Sequence, residues 1–334
     1  MIEVEHLSKT YGSTTAIEDV TFNVEKGEIL GLLGPNGAGK TTTMRILAGY
    51  LPATEGSARV GGHEVHEDPM AVRQCIGYLP EHPPLYPEMT TEGYLHFVAR
   101  IKGVAAGDRQ RCVDSAISQC GLSEHHKTLI HKLSKGYRQR VGIAQAIVHE
   151  PDAIIFDEPT VGLDPRQIIE VRKLIQSLAG DRTVILSSHI LPEVRMTCSR
   201  IAIIHQGKVV AVDSPTRLVN QMADVPQYEL ELKGNGEALE SKLLDLDMIT
   251  QVEPILSRTL QEHHYRFKIQ LENHPDAAPG VTQTLVNLGF ELHEFRKVRA
   301  TLEEVFLNLT MEADAIDDTT HREPLTNAAV EAQS

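Results

Sequence analysis

Tryptophan is absent from the 334 residues, and aromatics of all kinds make up only 4% of them. The core must therefore consist mostly of Leu, Ile, Val and Ala. Cysteine is scarce as well. Cys75, Cys112, Cys120 and Cys198 show neither CxxC spacing nor clustering, which argues against a disulfide framework or a zinc site and for four reduced, small apolar side chains. Long apolar runs are missing too: no stretch approaches the ~20 residues needed to cross a bilayer. The opening Met1-Ile2-Glu3-Val4-Glu5 lacks the basic-then-apolar order of a signal peptide, so the chain is expected to stay on the cytoplasmic side. Positive charge is in deficit, with 32 Lys and Arg against 46 Asp and Glu for a net charge of −14. That balance speaks against broad binding to nucleic acid or anionic lipid. Sixteen His are many, yet pairs such as His125-His126 and His263-His264 sit among polar residues and read as surface.

What remains is a globular composition, 41% apolar and 23% charged, and at ~150 residues per domain the length suggests about two domains. Alternating runs Ile2-Val4 and Ile17-Val20-Phe22-Val24 look like half-buried strands of an N-terminal antiparallel β subdomain. Glu28-Ile29-Leu30-Gly31-Leu32-Leu33 is continuous, as a strand covered on both faces should be. A glycine-rich loop and a helix through Met44 and Leu47 follow it. Residues 90–150 have helical periodicity, broken at Gly103, Gly107 and Gly121. From Asp152 strands and helices alternate again: Ala153–Phe156, a helix Ile168–Leu178, Thr183–Leu186, Ile201–Ile204, and a hairpin at Gly207. The expectation is an α/β domain over 1–222 with a helical insert. After Ala223 the order becomes β-α-β-β-α-β-α, which suggests a small split βαβ-like α+β domain over 223–311. Its last helix opens on the capping-box pattern Thr301-Leu302-Glu303-Glu304. Residues 312–334 carry six acids and one base, and are expected to form an acidic disordered tail.

The loop Gly34-Pro35-Asn36-Gly37-Ala38-Gly39-Lys40-Thr41-Thr42 matches the Walker A pattern G-x-x-x-x-G-K-[ST] between a buried strand and a helix. Its glycines let backbone N–H groups converge on phosphate oxygens, and the helix adds its positive end. Lys40 is placed to reach the β/γ phosphates and Thr41 to ligate Mg²⁺. A second site follows the strand Ala153–Phe156. There Asp157 and Glu158 put adjacent carboxylates at the edge where open α/β sheets bind ligands. Asp157 suits the Mg²⁺ shell, and Glu158 suits polarising an attacking water.

On these residues the sequence resembles the ATP-binding subunit of an ABC transporter over about residues 1–220. Leu133-Ser134-Lys135-Gly136-Tyr137-Arg138-Gln139-Arg140 resembles the family's signature segment, Val161-Gly162-Leu163-Asp164 its D-loop, and Ser187-Ser188-His189 its switch-histidine segment. Tyr11 falls where the family stacks an aromatic ring on adenine. The resemblance implies a P-loop NTPase core that binds ATP with Mg²⁺ between two subunits facing head to tail, a homodimer being the expected pairing. Ser134 and Gly136 would then clasp the nucleotide held by the partner's Lys40 loop, and Asp164 would belong to that contact. His189 would align the transition state with Glu158 and Lys40.

Two departures stand out. Lys135 and Tyr137 replace residues of the commonest signature, Leu-Ser-Gly-Gly-Gln, and Lys135 has two readings, beside the γ-phosphate or in solvent. Glu81, in Ile76-Gly77-Tyr78-Leu79-Pro80-Glu81, stands where the family has a glutamine that touches Mg²⁺ and links the core to the helical insert. A carboxylate there can still ligate Mg²⁺, but adds charge beside Asp157 and Glu158. The proline-stiffened His82–Pro87 segment reads either as a rigid loop or, as the resemblance implies, as part of the groove that receives a membrane partner's helix. With no spanning segment in this chain, transport requires a separate integral membrane permease, and the ATPase would be peripheral on the cytoplasmic face. The C-terminal extension ending in Thr301–Phe306 resembles that of subunits serving ABC-2 exporters for drugs, sodium or gliding-associated cargo. The competing readings are a soluble ABC-type ATPase acting on nucleic acid or ribosomes, and a generic P-loop kinase or GTPase. Such soluble ATPases usually carry two ATP units or a coiled coil, neither of which is present here, and a kinase or GTPase leaves the signature and His189 unexplained.

Overall fold

The computed structural model describes residues 1–221, 226–233, 236–246, 248–255, 263–272, 274, 277–298 and 301–320. The chain divides into two compact units, Met1–Pro215 with Leu309 onward, and Thr216–Asn308.

The first unit begins with two long antiparallel strands, β1 (Ile2–Tyr11) and β2 (Thr14–Val24), then β3 (Ile29–Leu33) and α1 (Lys40–Leu47). Next come β4 (Glu55–Val60), β5 (His63–Glu64), α2 (Pro69–Cys75) and β6 (Ile76–Leu79). Three helices, α3 (Thr91–Ile101), α4 (Arg109–Gln119) and α5 (Lys135–Ile147), form the insert where the 3.6-residue period placed it. The chain returns through β7 (Ala153–Phe156), α6 (Pro165–Leu178), β8 (Thr183–Ser188), α7 (Leu191–Thr197), β9 (Arg200–His205) and β10 (Lys208–Asp213), and α8 (Pro215–Gln221) leads from it into the second unit.

Two sheets result. One is antiparallel, in the order β2-β1-β4-β5, and the other runs β10-β9-β3-β8-β7-β6 with only β10 antiparallel to its neighbour. Every residue of β3, β7 and β8 is buried, because both faces of the parallel sheet are covered. Ile2, Val4, Val20 and Phe22 from the antiparallel sheet meet Leu30, Leu32, Ile155 and Ile185 from the parallel one in a single core that also takes in Met44 and Leu47 of α1. The β9–β10 turn has φ of 46° at Gln206 and 81° at Gly207, the paired positive values of a type I′ hairpin. The parallel order brings the carboxyl ends of β3, β7 and β8 side by side, and the loops leaving them carry the candidate chemistry.

The second unit contains β11 (Gln227–Lys233), α9 (Gly236–Leu244), β12 (Ile249–Ile255), β13 (His264–Leu271), α10 (Ala277–Asn287), β14 (Glu291–Val298) and the start of α11 (Leu302–Thr320). Its sheet is antiparallel in the order β12-β13-β11-β14, the doubly split βαβ arrangement of a ferredoxin-like fold. Leu230, Leu232, Phe267 and Ile269 pack one face against Leu239, Leu243, Val281 and Leu285 of the two helices. The capping box closes as expected: Glu304 N donates to Thr301 Oγ1 at 3.2 Å and Thr301 N to Glu304 Oε2 at 2.8 Å.

Two expectations need correction. Residues 312–320, assigned to a disordered tail, continue α11, since Met311, Ala313 and Ala315 are good helix formers that extend the pattern; residues 321–334 lie outside the described residues. His264, read as surface, has a side chain only 8% exposed. Its Nδ1 meets Glu231 Oε1 at 2.8 Å and its ring lies 4.4 Å from that of His293. The four cysteines are free, and no helix among the described residues is long and apolar enough to cross a membrane.

Candidate nucleotide-binding site

The loop after β3 is fixed by contacts that only glycine permits. Gly39 has φ of 104°, and a Cβ there would lie 2.5 Å from Ile17 Cγ2 and 2.8 Å from Ala16 O. A Cβ on Gly34 would lie 2.2 Å from Ile204 O. The backbone is therefore held tightly where it turns into α1, whose first N–H groups have no intrahelical acceptors and favour an anion. Lys40 opens that helix with its side chain only 6% exposed. It folds back on its own loop, Nζ donating to Gly34 O at 2.8 Å and Pro35 O at 3.1 Å.

The loop after β7 supplies the carboxylates. Asp157 Oδ1 accepts from Ser187 Oγ at 2.7 Å and from Thr41 Oγ1 at 3.2 Å, joining the ends of β7, β8 and α1. Burial lifts the Asp157 carboxyl above its ordinary range, the Ser187 and Thr41 hydroxyls oppose that, and the nearby Glu158 and Glu81 charges add to it. The oxygen set Thr41, Asp157 and Glu81 suits a hard divalent cation such as Mg²⁺, which would relieve the charge now gathered there. Glu158 adopts a φ of 50°, a left-handed conformation that is costly for a residue with a Cβ. Its N–H donates to Ser187 Oγ at 2.8 Å. Its buried Oε1 lacks a hydrogen bond and lies 3.5 Å from Lys40 Nζ, while Oε2 lies 2.9 Å from His189 Nδ1.

A cavity of about 410 Å³ opens between these loops. Its walls include Asn36, Gly37, Gly39, Lys40, Thr41, Thr42, Glu81, Glu158 and His189, which brings most of the expected residues together. Gly34, Pro35 and Ala38 shape the loop from behind without lining the cavity. Tyr11 does not line it either; its ring is 49% exposed at the end of β1, with Lys9 Nζ 5.2 Å from the ring centroid. Ser134, Gly136 and Asp164 also lie outside it, at the starts of two other helices. Ser134 Oγ accepts from Tyr137 N at 3.3 Å, and Asp164 Oδ1 from Gln167 N at 2.9 Å. Gly136 faces Gln167, whose Cδ would be 2.7 Å from a Cβ placed there. Lys135 follows a third course: its Nζ rests against the D-loop, 2.0 Å from where a Gly162 Cβ would be.

The linker after Glu81 is anchored on the insert. Pro83 and Leu79 fill the space over Gly142 of α5, and Gln145 Nε2 donates to Tyr78 O at 2.8 Å. Two residues of the site have roles that the motifs do not assign. Ser187 serves both carboxylate residues at once, and Glu193 bonds the loops on either side of them. The only sequence signal for Glu193 is an acid four places after His189.

A buried strand, a glycine loop whose lysine faces a Glu–His pair, and an oxygen cluster fit for a divalent cation define a P-loop nucleotide-hydrolysing site. Comparison with known proteins makes this narrower. Residues 17–161 match the family model described as ABC transporter. The linearmycin resistance ATP-binding protein LnrL of Bacillus subtilis is 31% identical over 311 residues, 93% of this chain and 98% of that protein. The bacitracin transport ATP-binding protein BcrA of Bacillus licheniformis is 33% identical over 95% of both chains. A solved ATP-binding subunit of an ABC transporter aligns with a TM-score of 0.61 at 32% identity, covering 66% of this chain and 93% of the other. The chain belongs to the family of ABC transporter ATP-binding subunits. It is an ATPase of the transport class, not of the soluble class considered above.

Proposed function

We propose that this chain drives an exporter, working as a peripheral subunit on the cytoplasmic face of a separate integral membrane permease and dimerising, as a homodimer, around ATP. The observation that carries the reading is the convergence of Lys40, Thr41, Glu158 and His189 on one cavity, with Thr41 and Ser187 bonded to Asp157. Lys40, now held by its own loop carbonyls, is positioned to turn to the β/γ phosphates of ATP. Thr41, Asp157 and Glu81 would hold Mg²⁺, which when bound neutralises phosphate charge. Glu158 takes a proton from water as the water oxygen bonds the γ-phosphorus and the bond to the β–γ bridging oxygen breaks, releasing ADP and phosphate. His189, donating from Nδ1 to Glu158, keeps the carboxylate oriented and presents its other nitrogen toward the reacting group. Tyr11 offers an exposed ring for adenine, and the N-terminal turns of α5 at Ser134 and Gly136, with Asp164, offer donors to a nucleotide held by a second copy. Two-fold pairing makes two such composite sites, and loss of the γ-phosphate removes what joins them.

The export direction is supported by the name of the linearmycin resistance ATP-binding protein above. The permease contact is supported by the exposed Tyr86, whose ring meets Phe97 of α3 at 5.4 Å beside the anchored Pro83 linker. Glu158→Gln tests the reading. It should retain ATP binding, slow hydrolysis by roughly 10²–10⁴-fold as expected for loss of a general base, and accumulate a dimer in size-exclusion chromatography with ATP. Turnover at the wild-type rate would overturn it.

A further inference from the structure

The half-buried carboxylate of Glu193, on α7, takes part in none of the steps above. It nevertheless receives hydroxyls from two loops. Thr160 Oγ1 donates to Glu193 Oε2 at 2.5 Å and Ser188 Oγ donates to the same oxygen at 3.3 Å. Thr160 comes two residues after Glu158 and is 7% exposed; Ser188 immediately precedes His189. Ser188 Oγ also accepts from Ile190 N at 3.0 Å, which leaves its proton for the carboxylate. A single oxygen thus ties the segment leaving β7 to the segment leaving β8, next to the 2.9 Å contact between Glu158 and His189.

We infer that Glu193 is a positioning residue for hydrolysis, fixing the separation of Glu158 and His189 through the hydroxyls of Thr160 and Ser188; this rests on the roles proposed for those two residues. The physical need is specific. Glu158 sits at φ 50°, a conformation that persists only where its surroundings enforce it. Side-chain restraints on that segment include the Glu158 N–H bond to Ser187 Oγ and the Thr160 clamp on Glu193. Without the clamp the segment can relax toward ordinary dihedrals, carrying the carboxylate away from the water it must deprotonate. Displacements near 1 Å in such groups cost on the order of 10²-fold in rate.

The test is steady-state ATPase kinetics with melting curves on the full-length chain, comparing Glu193→Ala, Glu193→Gln, Thr160→Val, and the double variant Glu193→Ala/Thr160→Val. Glu193→Ala should lower kcat by roughly 10–10²-fold with KM for MgATP changed less than about threefold. Glu193→Gln, which keeps an acceptor oxygen of the same reach, should recover most of the loss. The double variant should be no slower than Glu193→Ala within about twofold, since both remove one interaction. A wild-type kcat in Glu193→Ala, a glutamine variant no better than alanine, or multiplicative losses in the double variant would each overturn the inference. Should Glu193→Ala fail to fold, Glu193→Gln and Thr160→Val decide: near-normal kcat in the first with a clear loss in the second is required. Glu158→Gln serves as control. If it turns over normally, the roles of the catalytic pair fall and this inference with them; if it is slow while Glu193→Ala is normal, only the positioning claim falls.

Discussion

Charge is handled in opposite ways at the nucleotide site and on the polar face of the C-terminal sheet. At the site it is buried and poorly matched: Lys40 and Glu158 are 6% and 7% exposed, Glu158 Oε1 lacks a hydrogen bond, and burial lifts Asp157. On the sheet, charges are paired with opposite neighbours on the next strand or helix in four places. Arg296 bonds Glu229, Arg266 bonds Glu231 at 2.7 Å, Lys233 bonds Glu291 at 2.9 Å and Lys268 bonds Glu304 at 2.8 Å. The carboxylates there move the other way. His264 and Arg266 hold Glu231 below its ordinary range, Lys233 does so for Glu291, and burial pushes Glu304 upward but is outweighed by Lys268 and Thr301 together. A site that must accept phosphate and metal keeps unsatisfied groups and a strained backbone, while a scaffold pairs everything it can.

The sharpest way to break that contrast is at the strained loop. Gly39→Ala places a methyl against Ala16 O at 2.8 Å and Ile17 Cγ2 at 2.5 Å, at a φ of 104°. The cost should be about 2–4 kcal/mol in urea unfolding of the first unit, combining strain with overpacking, together with loss of fluorescent-nucleotide binding. Near-normal stability would mean the loop is not pinned, and the reading of its geometry would fail.

A subtler probe uses the opposite pKa shifts. Because Asp157 is raised, the stability linked to its protonated form is present below its ordinary value of 3.8 and is lost as pH rises through the raised one. At neutral pH the nucleotide-free protein therefore bears a cost for this carboxylate. Asp157→Asn should raise its Tm by roughly 2–4 °C at pH 7, the scale of ~1 kcal/mol in a domain of this size. The gain should vanish on acidification, and Mg²⁺-dependent stabilisation by ATP should disappear. The C-terminal carboxylates predict the reverse: their contribution is present above the ordinary glutamate value of 4.5 and is lost as pH falls through the depressed values. Limited proteolysis across pH 3–7 should find the C-terminal unit cut first in acid. A lower Tm for Asp157→Asn at pH 7 would contradict the first half.

How much of this was legible in the sequence follows the same division. Continuous apolar runs announced β3 and β7, the Lys40 loop announced the phosphate site, and alternation with helical stripes announced the C-terminal order, because each is a local pattern. The roles of Ser187 and Glu193 were not legible. They exist only because parallel pairing sets Phe156 beside Leu186, which lets distant loops share hydroxyls. The retraction of Lys40 onto Gly34 O, the left-handed Glu158 and the course of Lys135 onto Gly162 likewise depend on closure of the whole sheet. His264 was misread because a polar sequence neighbourhood does not reveal which groups a strand will meet across the ladder.

The mildest test lies in the scaffold, at the capping box. Thr301→Ala removes the hydroxyl that accepts Glu304 N at 3.2 Å and frees Glu304, which also receives Lys268 at 2.8 Å. Loss of such a cap costs about 0.5–2 kcal/mol, read as faster proteolysis at the start of α11 and a small drop in Tm. ATPase kcat should remain within about twofold, because Thr301, Glu304 and Lys268, which form the cap, all belong to the second unit. Thr301→Ser, which restores the acceptor, should return the proteolysis rate to normal. If Thr301→Ala instead abolished turnover while leaving the melting curve unchanged, the matched charges of this sheet would belong to the working machinery, and pairing would no longer separate scaffold from site.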